Sequence, residues 1–483
     1  MADFLSLVNS FTATVSFSAF DKMVPLLASA EAAEVAEVAE EAAEADEALV
    51  VAGVLLSLIT IYLASKIGGE ICARINLPPV LGDLVGGVVI GVSVLKLLVF
   101  PEGGEDASSS VIMGFVQSTT DLEPSALVAT FQSQSEVIAI LAELGVIILL
   151  FEIGLESELK ELIKYGPQAA VVAVVGVVAP FVAGTVGLIT LFHVATIPAI
   201  FAGAALTATS IGITAKVLAE IGRLSAKEGQ IIIGAAVLDD ILGIIVLAVV
   251  ASLVKTGEVE VANIAYLIVS AGAFLVGVIL LGRFLSPYYV GLVKELKTRG
   301  PLLISALIIA FVLAYVGAAI QLEAILGAFA AGLVLGETDK QQELEEQVVP
   351  VSDVFVPIFF VVVGAKTNLG VLNPADPSNR EGLIIATFLI VVAIIGKTIA
   401  GFTIFGQPEI NRLAIGIGMI PRGEVGLVFA GVGAASGALS ESLEAAIIMM
   451  VILTTFVAPP LLRVVFKEEE PLPQPESVGS SQE

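Results

Sequence analysis

Long apolar stretches recur from one end of the chain to the other, and they constrain its fold more than any other feature. Of the 483 residues, 57% are hydrophobic and only 14% are charged, a balance that soluble domains do not show. Apolar stretches of about 18 or more residues have the length of a transmembrane helix. A transmembrane β-barrel would show short segments of alternating polarity instead. The sequence therefore predicts an all-α polytopic membrane protein.

The hydropathy pattern predicts thirteen transmembrane spans. They cover 49–70, 78–98, 136–155, 168–192, 196–219, 229–254, 259–285, 300–320, 322–337, 348–366, 382–405, 412–436 and 442–463. Two basic residues, Lys397 and Arg422, fall inside spans; of the others, fifteen lie on the side of the C-terminus and five on the opposite side. Because cytoplasmic loops carry the excess of Lys and Arg, we expect a cytoplasmic C-terminus and an external N-terminus.

The two ends of the chain are acidic and differ from the apolar middle. Residues 1–48 form an N-terminal extension in which Glu31 to Glu47 contains eight acids, and residues 464–483 form an acidic, Pro-rich tail expected in the cytosol. The segment "LLASAEA" at 26–32 resembles a signal cleavage site, although no basic cluster opens the chain. The net charge of −26 leaves no basic surface for nucleic acid.

Cysteine and histidine are nearly missing. Cys72 is the single cysteine and His193 the single histidine. The chain therefore cannot form an intramolecular disulfide or a cysteine-built metal site. Any response to pH must rest on carboxylates or lysines.

Two pairs of segments repeat each other. "INLPPVLGDLVGGVVIG" at 75–91 matches "IQLEAILGAFAAGLVLG" at 320–336 with a constant shift of 245 residues, and "IILLFEIGLESEL" at 147–159 matches "IFFVVVGAKTNL" at 358–369. The matches join spans 2 and 9, then 3 and 10. A shift of seven spans is odd, so the halves would have opposite orientations, as in the inverted repeats of transporters. Chance similarity between helices rich in small residues is the alternative.

Asp239 and Asp240 are the most unusual residues of the chain. They are the only charged residues between Ile231 and Val254, near the middle of a predicted span. A carboxylate at membrane depth is costly and marks an ion or proton pathway by default. Adjacent helical residues point about 100° apart, so one acid can face an ion path while the other faces a neighbouring helix.

The repeat predicts where two helices are interrupted. Span 5 carries Thr207, Thr209 and Ser210 in its middle, and span 12 carries "GMIPRGEVGLVF" at 418–429. Interrupted helices at matching places in two halves indicate the ion site of a transporter. Arg422 and Glu424 can offset the dipoles of the exposed helix ends. For span 5 the alternative is ordinary packing of small and hydroxyl side chains between helices.

Lys397 lies deep in an apolar part of span 11. A buried lysine pairs with a carboxylate or loses its proton. The two aspartates are the nearest partners that the sequence offers. Snorkelling to the membrane interface is the alternative.

These motifs together resemble the monovalent cation:proton antiporter family. They are "TATSIG" (207–212), "LDDILG" (238–243), "IIGK" (394–397), "MIPRGEVGLVF" (419–429), "LPPVLGDLVGGVVIG" (77–91) and "LLFEIGLE" (149–156). The two-aspartate bacterial sodium/proton antiporters are the most similar branch. The resemblance implies about 13 helices, two inverted repeats, a pair of broken, crossing helices and a homodimer.

The resemblance also implies residue roles. Asp240 would bind Na⁺ and H⁺ in turn, and Asp239 would pair with Lys397. Electroneutral relatives are similar but carry Asn at the position of Asp239, so the aspartate here implies electrogenic exchange. Apart from the transported Na⁺ (or Li⁺) and H⁺, no cofactor is expected, and no nucleotide-binding domain is expected in cis.

The expected organisation follows from the spans. Panel or dimer helices cover 49–155 and 300–369, core helices cover 168–254 and 382–463, and a linker helix covers 259–285. The chain is expected to be a carrier of the cell (inner) membrane, or of an internal membrane such as the thylakoid, and not an enzyme. A K⁺/H⁺ antiporter, a cation channel and an organic-anion carrier stay open. An intramembrane aspartyl protease is disfavoured, because its two acids lie on separate helices.

Overall fold

The computed structural model describes residues 47–101, 105–120, 124–256, 261–295, 300–372, 379–404 and 409–466. Within these ranges the chain forms sixteen α-helices, two short 3₁₀ turns and no strand. Nearly all of the N-terminal extension and of the C-terminal tail lies outside the described residues.

Nine helices come from the first part of the chain. They are α1 (Glu47–Arg74), α2 (Pro79–Ile90), α3 (Val111–Thr119), α4 (Pro124–Glu156), α5 (Leu159–Leu191), α6 (Thr196–Ala205), α7 (Ile211–Glu220), α8 (Lys227–Thr256) and α9 (Val261–Glu295).

Seven helices follow. They are α10 (Pro301–Ala319), α11 (Ala324–Gly336), α12 (Gln341–Ala365), α13 (Asn379–Gly401), α14 (Arg412–Gly418), α15 (Glu424–Ala435) and α16 (Glu441–Phe466).

The helices confirm an all-α polytopic membrane protein. Among the described residues, nine helices are long and apolar enough to cross a membrane, and α2, α6 and α11 are shorter apolar helices. Each predicted span coincides with a helix or, at 196–219 and 412–436, with two helices in sequence. The count of thirteen spans stays a prediction.

One region departs from the prediction. Helix α3 was not expected, and α4 begins at Pro124 and not near 136. The polar residues of "FQSQSE" lower the mean hydropathy of the first turns of α4, so hydropathy alone does not predict a transmembrane helix there. The structure buries one of them in a polar contact, because Gln134 Nε2 donates to Ser57 Oγ of α1 at 2.8 Å.

The helices pack in two groups. We name α1–α4 with α10–α12 the panel, and α5–α8 with α13–α16 the core bundle. In the panel, α4 packs against α11 and α12, and α2 packs against α1 and α12; in the core bundle, α5 packs against α6, α8 and α13, and α16 packs against α13 and α15. The division into panel, linker and core helices, and their roles in transport, stay predictions.

Close helix contacts in the panel occur in matching pairs. A Cβ added to Gly87 would lie 2.2 Å from the carbonyl oxygen of Val361, and one added to Gly332 would lie 2.2 Å from that of Phe151. Gly87 and Gly332 correspond in the sequence repeat, as do Phe151 and Val361. Only glycine permits such a close backbone approach. The contacts support the internal repeat, and its inverted orientation stays a prediction.

Candidate functional site

The first interruption separates α6, which ends at Ala205, from α7, which begins at Ile211. The hydroxyl of Thr207 donates to the carbonyl of Ala204 at 2.7 Å, so it satisfies one of the orphan acceptors at the end of α6. Residues 206–210 are all buried. An interruption of this kind inside the protein needs partners for its backbone groups.

The second interruption separates α14, which ends at Gly418, from α15, which begins at Glu424. Pro421 lies in this interval and has no N–H to continue a helix. Arg422 is fully buried and its Nη1 donates to the carbonyl of Met419 at 3.2 Å. The guanidinium therefore lies against the negative end of α14, as the sequence predicts for a basic residue at a helix C-terminus. The side chain of Glu424 lies outside the described residues.

The two interruptions meet in the core bundle. The backbone N–H of Ser210 donates to the carbonyl of Pro421 at 2.9 Å, and the hydroxyl of Thr214 donates to the carbonyl of Gly418 at 2.8 Å. A Cβ on Gly423 would lie 2.8 Å from Ser210 Oγ, so glycine is required for this approach. Each interruption thus supplies partners for the backbone of the other.

Asp239 and Lys397 form an ion pair beside this crossing. Lys397 Nζ donates to Asp239 Oδ2, and both side chains are fully buried. The hydroxyl of Thr209 also donates to Asp239 Oδ2, at 2.6 Å. The carbonyl oxygen of Met419 lies 3.2 Å from the same hydroxyl. A buried ion pair holds only where further hydrogen bonds satisfy the charged groups. Thr209 supplies one, and it connects the pair to both interruptions.

Gly176 of α5 makes room for the lysine. A Cβ at this position would lie 3.2 Å from Lys397 Nζ and 3.3 Å from its Cδ. Helix α5 packs against both α8, which carries Asp239, and α13, which carries Lys397. The glycine thus lets the lysine side chain run between helices to the aspartate.

Asp240 is buried next to the ion pair, with 2% of its surface exposed. Asp239 Oδ1 and, in the first interruption, Ser210 Oγ are buried and have no hydrogen-bond partner within the part of the chain that the structure describes. A buried polar atom without a partner is costly, so each calls for an explanation. A small cation or a proton, held by carboxylate and hydroxyl oxygens, would satisfy them.

The charges around the crossing offset one another. Asp239 and Asp240 bring two negative charges, and Lys397 and Arg422 bring two positive ones, all within buried side chains. Arg422 lies within electrostatic range of Asp239. When all four groups are ionised, their charges sum to zero.

The structure brings most of the predicted residues together. Thr209, Ser210, Asp239, Lys397 and Arg422 meet at the crossing, joined directly or through the backbone of the interruptions. The hydroxyl of Thr207 is used within α6. The structure also brings in Thr214, which the sequence places among the hydroxyls of span 5, and it adds Gly176 and Thr455.

Thr455 was missed because nothing in its sequence neighbourhood differs from an ordinary apolar helix. Its hydroxyl donates to the carbonyl of Arg422 from α16. Gly176 and Thr214 were visible as small or hydroxyl residues inside spans, but only the fold shows what they contact.

Comparison with known proteins gives consistent matches. Residues 41–468 match the family model described as sodium/hydrogen exchanger, transmembrane. The chain is 68% identical to the high-affinity Na⁺/H⁺ antiporter NhaS3 of Synechocystis sp. over 435 residues. This alignment covers 89% of this chain and 94% of NhaS3. It is 33% identical to the Na⁺/H⁺-K⁺ antiporter GerN of Bacillus cereus over 411 residues. This alignment covers 84% of this chain and 94% of GerN.

A solved structure has the same fold. The sodium proton antiporter MjNhaP1 from Methanocaldococcus jannaschii at pH 8 aligns with a TM-score of 0.58 and 15% identity, over 86% of this chain and 97% of that chain. At this identity the likeness concerns the fold alone.

Proposed function

The chain belongs to the sodium/hydrogen exchanger family, and we propose that it is a secondary active Na⁺/H⁺ antiporter. The observation that carries the proposal is the Asp239–Lys397 pair, buried beside Asp240 at the crossing of two interrupted helices. The names of two relatives support it: NhaS3 is a high-affinity Na⁺/H⁺ antiporter, and GerN is an Na⁺/H⁺-K⁺ antiporter. We propose a carrier that needs no cofactor and is not an enzyme.

Competition at one carboxylate gives the exchange. We assign Na⁺ and H⁺ in turn to Asp240, which is buried beside the Asp239–Lys397 pair at the crossing and holds the position to which the resemblance to the antiporter family gives this role. A bound Na⁺ favours the ionised carboxylate, and burial favours the protonated one. The two ligands therefore exclude each other, and alternating access of the occupied site to the two sides of the membrane couples their flows.

The decisive experiment uses purified protein in proteoliposomes, with internal pH recorded after a gradient of Na⁺, Li⁺ or K⁺ is imposed. We expect Na⁺ and Li⁺ to drive proton movement and Asp240→Asn to abolish it in a folded protein. The apparent KM for Na⁺ should rise as the proton concentration rises, with kcat unchanged. Ser57→Ala, in the panel, serves as the matched control.

Each alternative predicts a different result in the same experiment. Proton movement driven by K⁺ and not by Na⁺ would identify a K⁺/H⁺ antiporter. Cation flux without proton counterflow would identify a channel. Full exchange by a correctly folded Asp240→Asn protein would remove Asp240 from the mechanism.

Electrogenic exchange depends on the buried pair. If Lys397 releases a proton when Asp240 binds Na⁺, two protons move per Na⁺ and one net charge crosses the membrane. The membrane potential then contributes about 2.3 kcal/mol per charge per 100 mV. We propose this stoichiometry, supported by the complete burial of Lys397 and Asp239.

Reversal potentials in voltage-clamped proteoliposomes test this stoichiometry. The wild-type protein should show voltage-dependent exchange. The Asp239→Asn, Lys397→Gln double variant should show voltage-independent exchange, and the single variants should be less stable by about 3–5 kcal/mol, because each leaves one buried charge without its partner. Voltage-independent exchange by the wild type would make the pair structural only.

We also propose the finer aspects of location and assembly. The C-terminus is cytoplasmic and the N-terminus external, in the cell membrane or an internal membrane such as the thylakoid, and the protein is a homodimer through its panel. The excess of Lys and Arg on the C-terminal side supports the orientation. Protease access to a C-terminal tag in sealed right-side-out vesicles tests the orientation, and mass measurement in detergent tests the dimer.

A further inference from the structure

The corner between α1 and α2 is a contact point between panel and core bundle. Asn76 adopts a left-handed backbone conformation there, with φ of 64°. Helix α2 then begins at Pro79 after Pro78, which makes no side-chain cap. The first N–H groups of a helix need acceptors from outside the helix, so this corner calls for a partner.

Glu220, the last residue of α7, is that partner. Its carboxylate accepts the backbone N–H of Val80, with Oε1 at 3.2 Å and Oε2 at 3.4 Å. A carboxylate at a helix N-terminus is favoured by the aligned backbone dipoles. A residue of the core bundle thus caps a helix of the panel.

Arg463 holds the same corner from a second core helix. It lies near the end of α16, and its Nη2 donates to Asn76 Oδ1 at 3.0 Å. The end of α7 therefore binds the first turn of α2, and the end of α16 binds the segment that joins α1 to α2. This segment lies on the side of the membrane where α16 ends, which we name the C-terminal side.

Helix α7 extends this contact toward the ion site along a single stripe. Gly212, Lys216 and Glu220 are spaced by four residues, so they lie on one face of the helix. A Cβ on Gly212 would be 3.5 Å from Val146 and 3.8 Å from Leu149, both in panel helix α4. The stripe is apolar next to the interruption and charged at its far end.

Lys216 occupies the middle of the stripe. Its ammonium lies within electrostatic range of four carboxyls: Asp83 of α2, Glu152 and Glu156 of α4, and Glu220 on its own helix. Three of the four belong to the panel. A lysine of the core bundle thus lies within electrostatic range of three acids of the panel. Opposite charges attract, so this arrangement adds attraction between the core bundle and the panel.

We propose that Gly212, Lys216, Glu220 and Arg463 form a latch that closes the C-terminal side of the ion site and releases when the core bundle moves against the panel. The inference rests on the proposed antiport function, because alternating access requires such a release. These contacts are few and non-covalent, so they can form and break reversibly. They are the hydrogen bonds made by Glu220 and Arg463 at the corner, the position of Lys216 among carboxyls, and the contact of Gly212 with α4.

The first test locks the latch. Asn76→Cys and Arg463→Cys, in a Cys72→Ser background, place the two reactive thiols at the corner. Joining them with a cleavable bis-maleimide should reduce Na⁺/H⁺ exchange at least tenfold, and cleavage should restore it. Lys340→Cys with Glu343→Cys, both in one stretch of the panel, is the matched control and should transport equally well before and after joining. Unchanged exchange by the joined corner pair would overturn the proposal.

The second test loosens the latch and needs no transport. Leu149→Cys, in the same Cys72→Ser background, places a thiol at the seal. With Glu220→Ala added, labelling of that thiol from the C-terminal side should become several-fold faster, and Glu220→Gln should give an intermediate rate.

Glu228→Ala is the control, because Glu228 also accepts a backbone N–H, that of Asn411 at 2.9 Å, but within the core bundle. It should leave the labelling rate unchanged. Equal rates in Glu220→Ala and Glu228→Ala would contradict the latch even if the protein exchanges Na⁺ for H⁺. A protein that labels as expected but transports nothing would contradict the antiport function and leave the closure standing.

Discussion

The two interruptions have the same length, five residues each at 206–210 and 419–423, and different chemistry. Between α6 and α7 the interruption carries Thr207, Thr209 and Ser210 without a charge; between α14 and α15 it carries Pro421, Arg422 and Gly423. The first contributes hydroxyls, one of which contacts Asp239. The second contributes carbonyls to the first and a buried guanidinium.

The difference indicates a division of labour. Thr209 and Ser210 offer neutral oxygens that could hold a small cation, so we propose that the first interruption faces the ion. Arg422 offsets the buried aspartates and the negative end of α14, so the second interruption balances charge. A change in the second should therefore cost folding first, and a change in the first should cost ion affinity first.

The largest effect is expected from Arg422→Gln. It removes the guanidinium that lies within electrostatic range of Asp239, and removing one partner from buried charges costs about 3–5 kcal/mol. We expect a strongly lowered melting temperature and loss of exchange, measured by thermal unfolding in detergent and by the proteoliposome assay. Arg412→Gln, at the start of α14, is the control. Wild-type stability of Arg422→Gln would show that the guanidinium does not balance the site.

A smaller loss of stability is expected from Gly423→Ala. The added Cβ would lie 2.8 Å from Ser210 Oγ and 2.9 Å from Ser210 Cβ, and overpacking of this kind costs about 1–3 kcal/mol. The Ser210→Gly, Gly423→Ala double variant removes both clashing atoms and should regain most of the stability. If the second change rescues nothing, the two interruptions do not approach as closely as described.

Thr209→Val should affect both stability and transport. Valine keeps the shape and removes the hydroxyl that donates to Asp239 Oδ2 at 2.6 Å. Hydrogen bonds to charged groups contribute about 1.5–3 kcal/mol. We expect that loss together with a several-fold higher apparent KM for Na⁺. Thr207→Val, which loses only the bond to Ala204 within α6, should leave the KM unchanged.

The sequence predicted these interruptions better than it predicted the panel. Pro421, the glycines around it and a cluster of hydroxyls are local signals, and Asp239 and Lys397 have few possible partners in an apolar chain. The early start of α4 was missed, because Gln134 and its neighbours look solvated until Ser57 is found opposite. Helix α3 was missed because its nine residues are too few for a transmembrane span. The contact of Glu220 with Val80 could not be predicted either, since it joins residues 140 positions apart through a backbone group.

The smallest effect on stability and the sharpest test of the comparison come from Ser210→Ala. The hydroxyl of Ser210 is buried and has no hydrogen-bond partner among the described residues, so its removal breaks no bond in the protein. We therefore expect a change in unfolding free energy within about 0.5 kcal/mol. If the hydroxyl is a ligand of the transported ion, the apparent KM for Na⁺ should rise several-fold while the melting temperature stays constant.

Thr214→Val is the control that separates a structural hydroxyl from an ion ligand. The hydroxyl of Thr214 donates to the carbonyl of Gly418, so its loss should lower stability without changing the KM. An unchanged KM in Ser210→Ala would leave Thr209 as the one hydroxyl of the first interruption that acts on the site.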